Sequence, residues 1–368
     1  MKPPLWLTRP TRFAALSHGA ARGVLALIVL LLAATFLALD TPGPPPGGAE
    51  DQADVLLYDG IVESMRHGGD YYTVAADALR SGNYPIEPLG TLRLPTLAAV
   101  QAVLPPALVL ALLWSLALAV VVVWHARLRP AFARMPARIV AMILLAAGMA
   151  MLVQPALVAI HEIWAGLMIA LSLGLRRPGR WVEAAAIGLA AMLIRETAAL
   201  YVAAMACLAF VESERREALG WLAAVGVFAI AVAAHVHAVA QVVAPPDAAS
   251  LDPGSPGWAG ILGFGYFVRA MAVSTPLAQI PSWLAAPLVG LALAGWAAWR
   301  DPLALRAFTI LALYAALFGI AGSSDPSSWG LVVAPTLLVG LAFVPDAARD
   351  LLAAALDKRR ITVKRVAR

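Results

Sequence analysis

The chain has 368 residues, of which 61% are hydrophobic and 13% charged, and it carries a formal net charge of +5. This composition excludes a soluble globular protein and favours a polytopic membrane protein. The single cysteine, Cys207, lies within an apolar run, which excludes a disulfide framework and a thiolate metal site.

Apolar runs close to the length that a membrane-spanning helix needs, roughly 20 residues, occur about ten times. They cover residues 23–39, 106–125, 139–157, 161–175, 182–194, 196–211, 221–244, 282–299, 303–321 and 329–345. We therefore predict an all-α fold, a polytopic membrane helix bundle that forms one integral membrane domain over residues 1–368. Gly, Pro and Arg269 interrupt residues 258–281, where an interfacial or re-entrant helix is predicted rather than a full span.

The distribution of Lys and Arg predicts the orientation of the chain. Placing both termini in the cytoplasm puts most of these residues on the cytoplasmic side, as the positive-inside rule requires. Residues 40–105 then form an outer loop, and residues 346–368 form a basic cytoplasmic tail. The excess of Lys and Arg over Asp and Glu reflects this orientation and indicates no nucleic-acid site. Five arginines remain on the outer side: Arg66, Arg80, Arg93, Arg195 and Arg269.

Within the outer loop, Tyr58, Ile61 and Met65 recur at helical spacing and predict an amphipathic helix on the membrane surface. The pair Gly68-Gly69 is expected to end this helix. Asp70 can then cap a second helix over residues 71–80. The loop is a long polar segment in an apolar chain, so it is where we expect chemistry.

This loop resembles the first outer loop of GT-C glycosyltransferases, in particular the branch that transfers aminoarabinose or mannose from polyprenyl phosphate. The residues that carry the resemblance are Asp54, Tyr58, Met65, Gly69, Asp70 and Tyr71, followed by the run to Ser81-Gly-Asn-Tyr-Pro. Val55 stands where that branch has a second carboxylate, and Arg93-Leu-Pro replaces its Lys-Pro-Pro. The family implies a multi-pass enzyme of the bacterial inner membrane with its outer loop in the periplasm. We also expect a monomer.

The resemblance also implies roles for individual residues. Asp54 would be the catalytic base that deprotonates an acceptor hydroxyl, with Asp70 as the second candidate. The donor, a polyprenyl-phosphate-linked sugar, needs cations at its phosphate, for which the candidates are Arg195, Arg269 and Arg93. Further polar groups expected in the cavity are Tyr58, His161, Glu162 and Glu196. No metal ligands are predicted, and a divalent metal cofactor is left open.

Each of these residues also has a structural interpretation. Asp54 can act as a helix cap or dipole partner. Arg195 and Glu196 can form a turn at the outer end of a helical hairpin, with the arginine reaching the interface. His161 and Glu162 can cap a helix, and because they are adjacent only one is expected to face a central cavity.

Two metal sites are excluded. His161-Glu162 is not part of an HExxH motif, because Ala165 takes the last position. His235 and His237 are two residues apart, so they should point to different sides of a helix.

Two other functions compete with a transferase. A transporter or flippase for a lipid-linked or anionic substrate would use the same arginine and glutamate residues, but no matching pair of broken helices is visible. The third possibility is a catalytically inactive membrane scaffold.

Overall fold

The fold is all-helical, as predicted, throughout the part of the chain that the computed structural model describes. That part comprises residues 3–40, 49–82, 84, 92–242, 262–320 and 327–356. Two isolated β-bridges, between Leu7 and Phe132 and between Arg177 and Arg180, are the extended pairings within it.

The α-helices follow the predicted apolar runs and the two predicted loop helices. Their bounds are α1 His18–Thr35, α2 Ala49–Arg66, α3 Tyr71–Ser81, α4 Thr96–Val103, α5 Pro106–Leu128, α6 Met135–Met149, α7 His161–Leu175, α8 Val182–Ile194, α9 Ala199–Val211, α10 Arg215–Val242, α11 Gly263–Val273, α12 Ser282–Ala298, α13 Pro302–Ile320, α14 Ser327–Gly330, α15 Ala334–Leu337 and α16 Val344–Leu356. Short 3₁₀ segments continue or link them at Arg12–Ala15, Phe36–Leu39, Pro155–Leu157, Glu196–Ala198, Pro276–Gln279 and Leu338–Phe343.

Within the described ranges, four helices are long and apolar enough to cross a membrane. They are His18–Leu39, Pro106–Leu128, Arg215–Val242 and Pro302–Ile320. The first and third bury few of their apolar residues inside the protein, which is typical of surfaces that face lipid. The presence of these four helices indicates a membrane-embedded protein. Five further apolar helices, α6, α7, α8, α9 and α12, are shorter and do not meet the same length requirement.

Helix α7 is the centre of the bundle, because thirteen of its fifteen residues are buried. It packs against α5 on one side and α8 on the other, and α13 and α15 also contact it. The long helix α5 donates a hydrogen bond to α7 from the indole Nε1 of Trp124 to the main-chain oxygen of Ala170, at 2.9 Å. Residues at both ends of α7 are therefore placed inside the protein.

Two predicted spans differ from the structure. The span predicted at 139–157 contains the end of α6 at Met149, a turn and the 3₁₀ segment Pro155–Leu157, because proline disfavours helical backbone before it. The span predicted at 329–345 is divided among the end of α14, a turn, α15, a 3₁₀ segment and the start of α16. Of residues 258–281, those from 262 onward form the short helix α11 and a 3₁₀ turn, and the others lie outside the described residues.

Residues 331–340, which we term the buried segment, fit into the bundle because glycines face them. Gly148, Gly166 and Gly295 lie on three different helices, and a Cβ atom added at any of them would overlap main-chain atoms of the buried segment. Small residues at such crossings let backbones approach more closely than side chains would allow. The packing of α6, α7 and α12 around the buried segment therefore depends on these glycines.

The outer-loop segment forms the predicted pair of helices. Gly68 has φ of +92°, a left-handed conformation that favours glycine, and it turns the chain at the end of α2. The Asp70 carboxylate accepts a hydrogen bond from the main-chain N–H of Thr73 at 3.1 Å, which caps α3 as predicted. Helices α2 and α3 pack on each other and on α4 and α10, so they cover one end of the bundle, termed here the α2–α3 end.

Candidate functional site

A cluster of four charged side chains, three of them buried, lies at the α2–α3 end of the bundle. The carboxylate Oε1 of Glu162 lies 3.2 Å from Nη2 of Arg93 and 2.8 Å from Nε of Arg195. Nη1 of Arg195 lies 3.2 Å from Oε2 of Glu196. Arg93, Glu162 and Arg195 are 9%, 2% and 6% exposed, so the ion pairs are shielded from solvent. We refer to these four residues as the charged cluster.

The residues of the charged cluster come from three separate parts of the chain. Glu162 is in the first turn of α7, where an acidic side chain also interacts favourably with the helix dipole. Arg195 is the C-cap of α8 and has extended backbone, and Glu196 begins the following 3₁₀ turn. Arg93 precedes α4. Because α7 and α8 pack side by side with opposite directions, the start of one meets the end of the other.

Tyrosine side chains hold Arg93 against α2 and α3. Nε of Arg93 donates a hydrogen bond of 2.5 Å to the hydroxyl of Tyr58, and its guanidinium carbon lies 5.4 Å from the centre of the same ring. The hydroxyl of Tyr71 donates to the main-chain oxygen of Arg93 at 2.6 Å. The outer-loop helices are thus joined to the charged cluster through this arginine.

The electrostatics of this group favour a charged arginine and neutral tyrosines. Burial by itself would lower the pKa of Arg93, but Glu162, Tyr58 and Glu196 together more than offset it, and the pKa of Arg93 lies above the ordinary value. Burial raises the pKa of Tyr58 and of Tyr71, because it disfavours the phenolate. Both hydroxyl groups therefore remain protonated at neutral pH and can donate hydrogen bonds.

Unused hydrogen-bonding atoms lie inside this buried region. His161 is 3% exposed, and both of its ring nitrogens lack a hydrogen-bond partner among the described residues. Its ring packs edge-on against Tyr58 at 4.9 Å between centroids. Nη1 of Arg93 is buried as well, and it also has no hydrogen-bond partner among the described residues. Buried polar atoms of this kind are costly unless a ligand or water pairs with them.

Asp54 lies next to the charged cluster rather than within it. It is one helical turn before Tyr58 on α2, so the two side chains share a face of the helix. Its Oδ1 atom accepts a hydrogen bond of 3.2 Å from the hydroxyl of Tyr84. Its side chain is half-buried, so a carboxylate lies at the edge of the buried charges.

Two predicted site residues lie apart from the charged cluster. Asp70 is exposed, and its carboxylate binds the N–H and the hydroxyl of Thr73 at the start of α3. Arg269, on α11, lines a separate cavity of about 300 Å³ together with Ala38, Leu277 and Ile280. The lining of that cavity includes no member of the charged cluster.

The structural interpretations are partly correct. Arg195 and Glu196 do form the turn between α8 and α9, but the guanidinium pairs with the buried carboxylate of Glu162 instead of reaching outward. His161 and Glu162 begin α7, and both are buried, although only one was expected to face inward. His235 and His237 point to different sides of α10, as predicted, since the first is buried and the second exposed.

The sequence did not predict the hydrogen bonds that His235 and the loop tyrosines make. Nε2 of His235 lies 3.1 Å from the main-chain oxygen of Leu92, and Nδ1 lies 3.3 Å from the hydroxyl of Tyr72. These contacts attach the segment before Arg93 to α10. The high density of tyrosine in residues 58–84 was the available signal, because buried tyrosines need hydrogen-bond partners for their hydroxyl groups.

A second group of charges lies at the other end of α7, where Arg176, Glu217 and Arg306 are buried and Glu212 is exposed. Nη2 of Arg176 lies 2.8 Å from Oε2 of Glu217 and 3.3 Å from Oε2 of Glu212, and Arg306 also pairs with Glu212. Arg306 is 1% exposed, so it is an internal residue. The central helix is thus flanked by ion pairs at both ends, about 22 Å apart for a helix of its length.

No group of three or more His, Cys, Asp or Glu side chains within the described ranges is arranged to hold a metal ion. Comparison with known proteins assigns this chain to no family, because no protein-family model, curated protein or solved structure matches it. The chemistry of the site is therefore inferred from its geometry.

Proposed function

We propose that the protein is a membrane glycosyltransferase that moves a sugar from a polyprenyl-phosphate donor to a hydroxyl group of a lipid, glycan or protein acceptor. One observation carries this proposal: Arg93 and Arg195, which are distant in the chain, meet on one buried carboxylate beside the helix that bears Asp54. A phosphate leaving group and a proton acceptor are the two needs of glycosyl transfer from a lipid phosphate.

In the proposed reaction, Asp54 accepts the proton of the acceptor hydroxyl. The acceptor oxygen forms a bond to the anomeric carbon as the bond from that carbon to the phosphate oxygen breaks. The bonding electrons leave with the phosphate, and the anomeric centre inverts in this single displacement. Tyr84, which hydrogen-bonds Asp54, would orient the carboxylate.

The phosphate would be bound at Arg93 and Arg195. Glu162 neutralises part of their charge, so these arginines can remain buried while the donor is absent. The unpartnered atoms of Arg93 and His161 provide hydrogen-bonding capacity for phosphate oxygens or the sugar. Preorganised cations stabilise the charge that the leaving phosphate gains in the transition state.

The membrane arrangement that accompanies this proposal has about ten spans, counting the shorter apolar helices. Both termini would be cytoplasmic, and the α2–α3 end would face the periplasm of a bacterial inner membrane, in agreement with the positive-inside rule. A monomer suffices, because the arginines and Asp54 belong to one chain.

The experiment is a transfer assay with the Asp54→Asn variant. Membranes that contain the wild-type protein and supply the acceptors receive radiolabelled polyprenyl-phosphate mannose or polyprenyl-phosphate aminoarabinose. We expect Asp54→Asn to lower the transfer rate at least about 100-fold, because it removes the general base. The matched control is Asp59→Asn, which alters an exposed carboxylate on the same helix and should leave the rate unchanged.

Equal transfer by the wild-type protein and Asp54→Asn would show that Asp54 is not the base. If the wild-type protein instead moves a labelled lipid between leaflets without transferring its sugar, the function is that of a flippase. Folding of each variant is checked by its elution from a size-exclusion column in detergent.

A further inference from the structure

A cavity of about 530 Å³ lies at the end of the bundle opposite α2 and α3. Its lining includes Thr8, Arg9, Trp299, Arg300 and Asp301. We refer to it as the arginine cavity. It lies where α5 ends, whereas the charged cluster lies near the beginning of α5, so about 34 Å of helix separates the two.

The walls of the arginine cavity are fixed by contacts between distant segments. Residues 5–11 lie along the loop that follows α5, with hydrogen bonds from Thr8 N to the oxygen of Ala131 and from Ala133 N to the oxygen of Trp6. The carboxylate of Asp346, which is fully buried, accepts hydrogen bonds from three consecutive main-chain N–H groups, those of Leu5, Trp6 and Leu7. The N-terminal wall is therefore held in place by the C-terminal helix α16.

Positive charge exceeds negative charge at this cavity. Arg9 makes no ion pair or hydrogen bond with the described residues through its guanidinium group. Within the described part of the chain, Arg300 bonds only through Nε, which donates to the main-chain oxygen of Thr11 at 3.1 Å, and its two Nη groups have no partner there. The lining carboxylate, Asp301, is already placed 3.8 Å from Nη2 of Arg127.

A further donor lies in the cavity lining, and a further cation lies next to the lining. Trp299 is 7% exposed, and its indole N–H has no hydrogen-bond partner among the described residues, so it is an additional donor beside the cavity. Arg12 binds the main-chain oxygen of Asp301 at 3.3 Å. Burial lowers the pKa of Arg12, and the positive charge of Arg300 lowers it further although Asp301 acts in the opposite sense.

We infer that the arginine cavity binds a phosphate group, carried either by the headgroup of an anionic phospholipid or by a small soluble phosphate ester. Arginine suits this ligand because its planar fork donates two parallel hydrogen bonds to phosphate oxygens. The end of long apolar helices is also where lipid headgroups lie, and basic pockets between such helices bind anionic headgroups. This site is separate from the proposed transferase site and does not depend on it.

The test uses the purified, delipidated full-length protein in detergent. Phosphatidylglycerol, phosphatidylcholine and glycerol 3-phosphate are titrated separately, and bound molecules are counted by native mass spectrometry. We expect one tight site for phosphatidylglycerol or for glycerol 3-phosphate. The double variant Arg9→Gln/Arg300→Gln should weaken it about tenfold or more, because two charge-assisted hydrogen-bonding groups are lost.

The matched control is Arg129→Gln/Arg134→Gln, which removes the same charge from exposed residues outside the cavity lining. It should change the affinity less than about twofold, since exposed charges contribute little. Arg9→Gln alone should give part of the loss, and because Arg9 has no bonded partner in the described residues, a loss there cannot come from a broken structural contact.

The probes distinguish the sources of the phosphate. Arginine-dependent binding of phosphatidylglycerol that glycerol 3-phosphate does not displace assigns the site to a lipid. Displacement, or direct arginine-dependent binding of glycerol 3-phosphate, assigns it to a soluble ester. The inference is overturned if no probe binds saturably, if phosphatidylcholine binds equally well, or if the two double variants bind alike.

Discussion

Replacement of Glu162 by Gln is expected to lower the free energy of unfolding by about 3–5 kcal/mol, because it leaves two buried guanidinium groups without their shared counter-charge. Glutamine has nearly the same shape, so loss of packing does not explain the effect. Glu162 is 2% exposed and contacts Arg93 and Arg195 at 3.2 and 2.8 Å. Glu196 would remain as the one carboxylate of the charged cluster.

The measurement is chemical unfolding of the purified protein in mixed detergent micelles. Glu183→Gln is the control, because it makes the same change at an exposed position of α8 and should alter stability by less than about 0.5 kcal/mol. The double variant Glu162→Gln/Arg195→Gln should be less destabilised than Glu162→Gln, since it removes one of the uncompensated charges. A loss below about 1 kcal/mol for Glu162→Gln would contradict the role of these ion pairs.

Replacement of Gly295 by Ala is expected to destabilise the protein by about 3 kcal/mol, near the upper end of the usual effect of overpacking. The added Cβ atom would overlap the main-chain oxygen of Gly340 in the buried segment, and also approach Val344. A main-chain oxygen cannot move aside as a flexible side chain can. Helix α12 would therefore have to separate from the buried segment.

The control for this variant is Gly226→Ala. Gly226 lies within α10, and an added Cβ atom there has no neighbour within 4 Å. Alanine is favoured over glycine inside a helix by up to about 1 kcal/mol, so this variant should be slightly stabilised. Thermal unfolding in detergent measures the stability of the Gly295→Ala and Gly226→Ala variants. Similar midpoints for the two variants would show that α12 and the buried segment do not pack as closely as described.

Elements set by local pattern could be predicted from the sequence. The bounds of α7 and α8 agree with apolar runs that end at polar or basic residues, at 161–175 and 182–194. The two loop helices and the cap at Asp70 followed from helical spacing and from the glycine pair. In each case, neighbours within a few turns of helix determine the structure.

Contacts between distant segments could not be predicted in the same way. The polarity of Arg195 and Glu162 marked both as unusual, but nothing in the sequence placed Arg93 against the same carboxylate. Arg306 lies near the start of the predicted run 303–321, and the sequence did not indicate that it is buried and paired with Glu212. Such pairs depend on which helices pack together, and hydropathy does not contain that information.

The buried segment shows a second reason why the predicted and observed structures differ. Its apolar composition predicted one span over 329–345, but short helices and a 3₁₀ segment occupy these positions. Interruptions of this kind are tolerated within a bundle when surrounding helices cover the backbone. Gly148, Gly166 and Gly295 allow that covering, and their significance is visible only once the crossing partner is known.

The most direct measurement is the binding of polyprenyl phosphate, without a sugar, to the purified protein. The charged cluster is proposed to hold the donor phosphate, so the wild-type protein should bind one molecule, and Glu162→Gln/Arg195→Gln should bind it about tenfold or more weakly. The matched control is Arg180→Gln/Glu183→Gln, a pair of exposed residues at the other end of α8, which should bind as the wild type does. Equal affinity in the Glu162/Arg195 variant, with its fold intact, would contradict the assignment of the phosphate to this cluster.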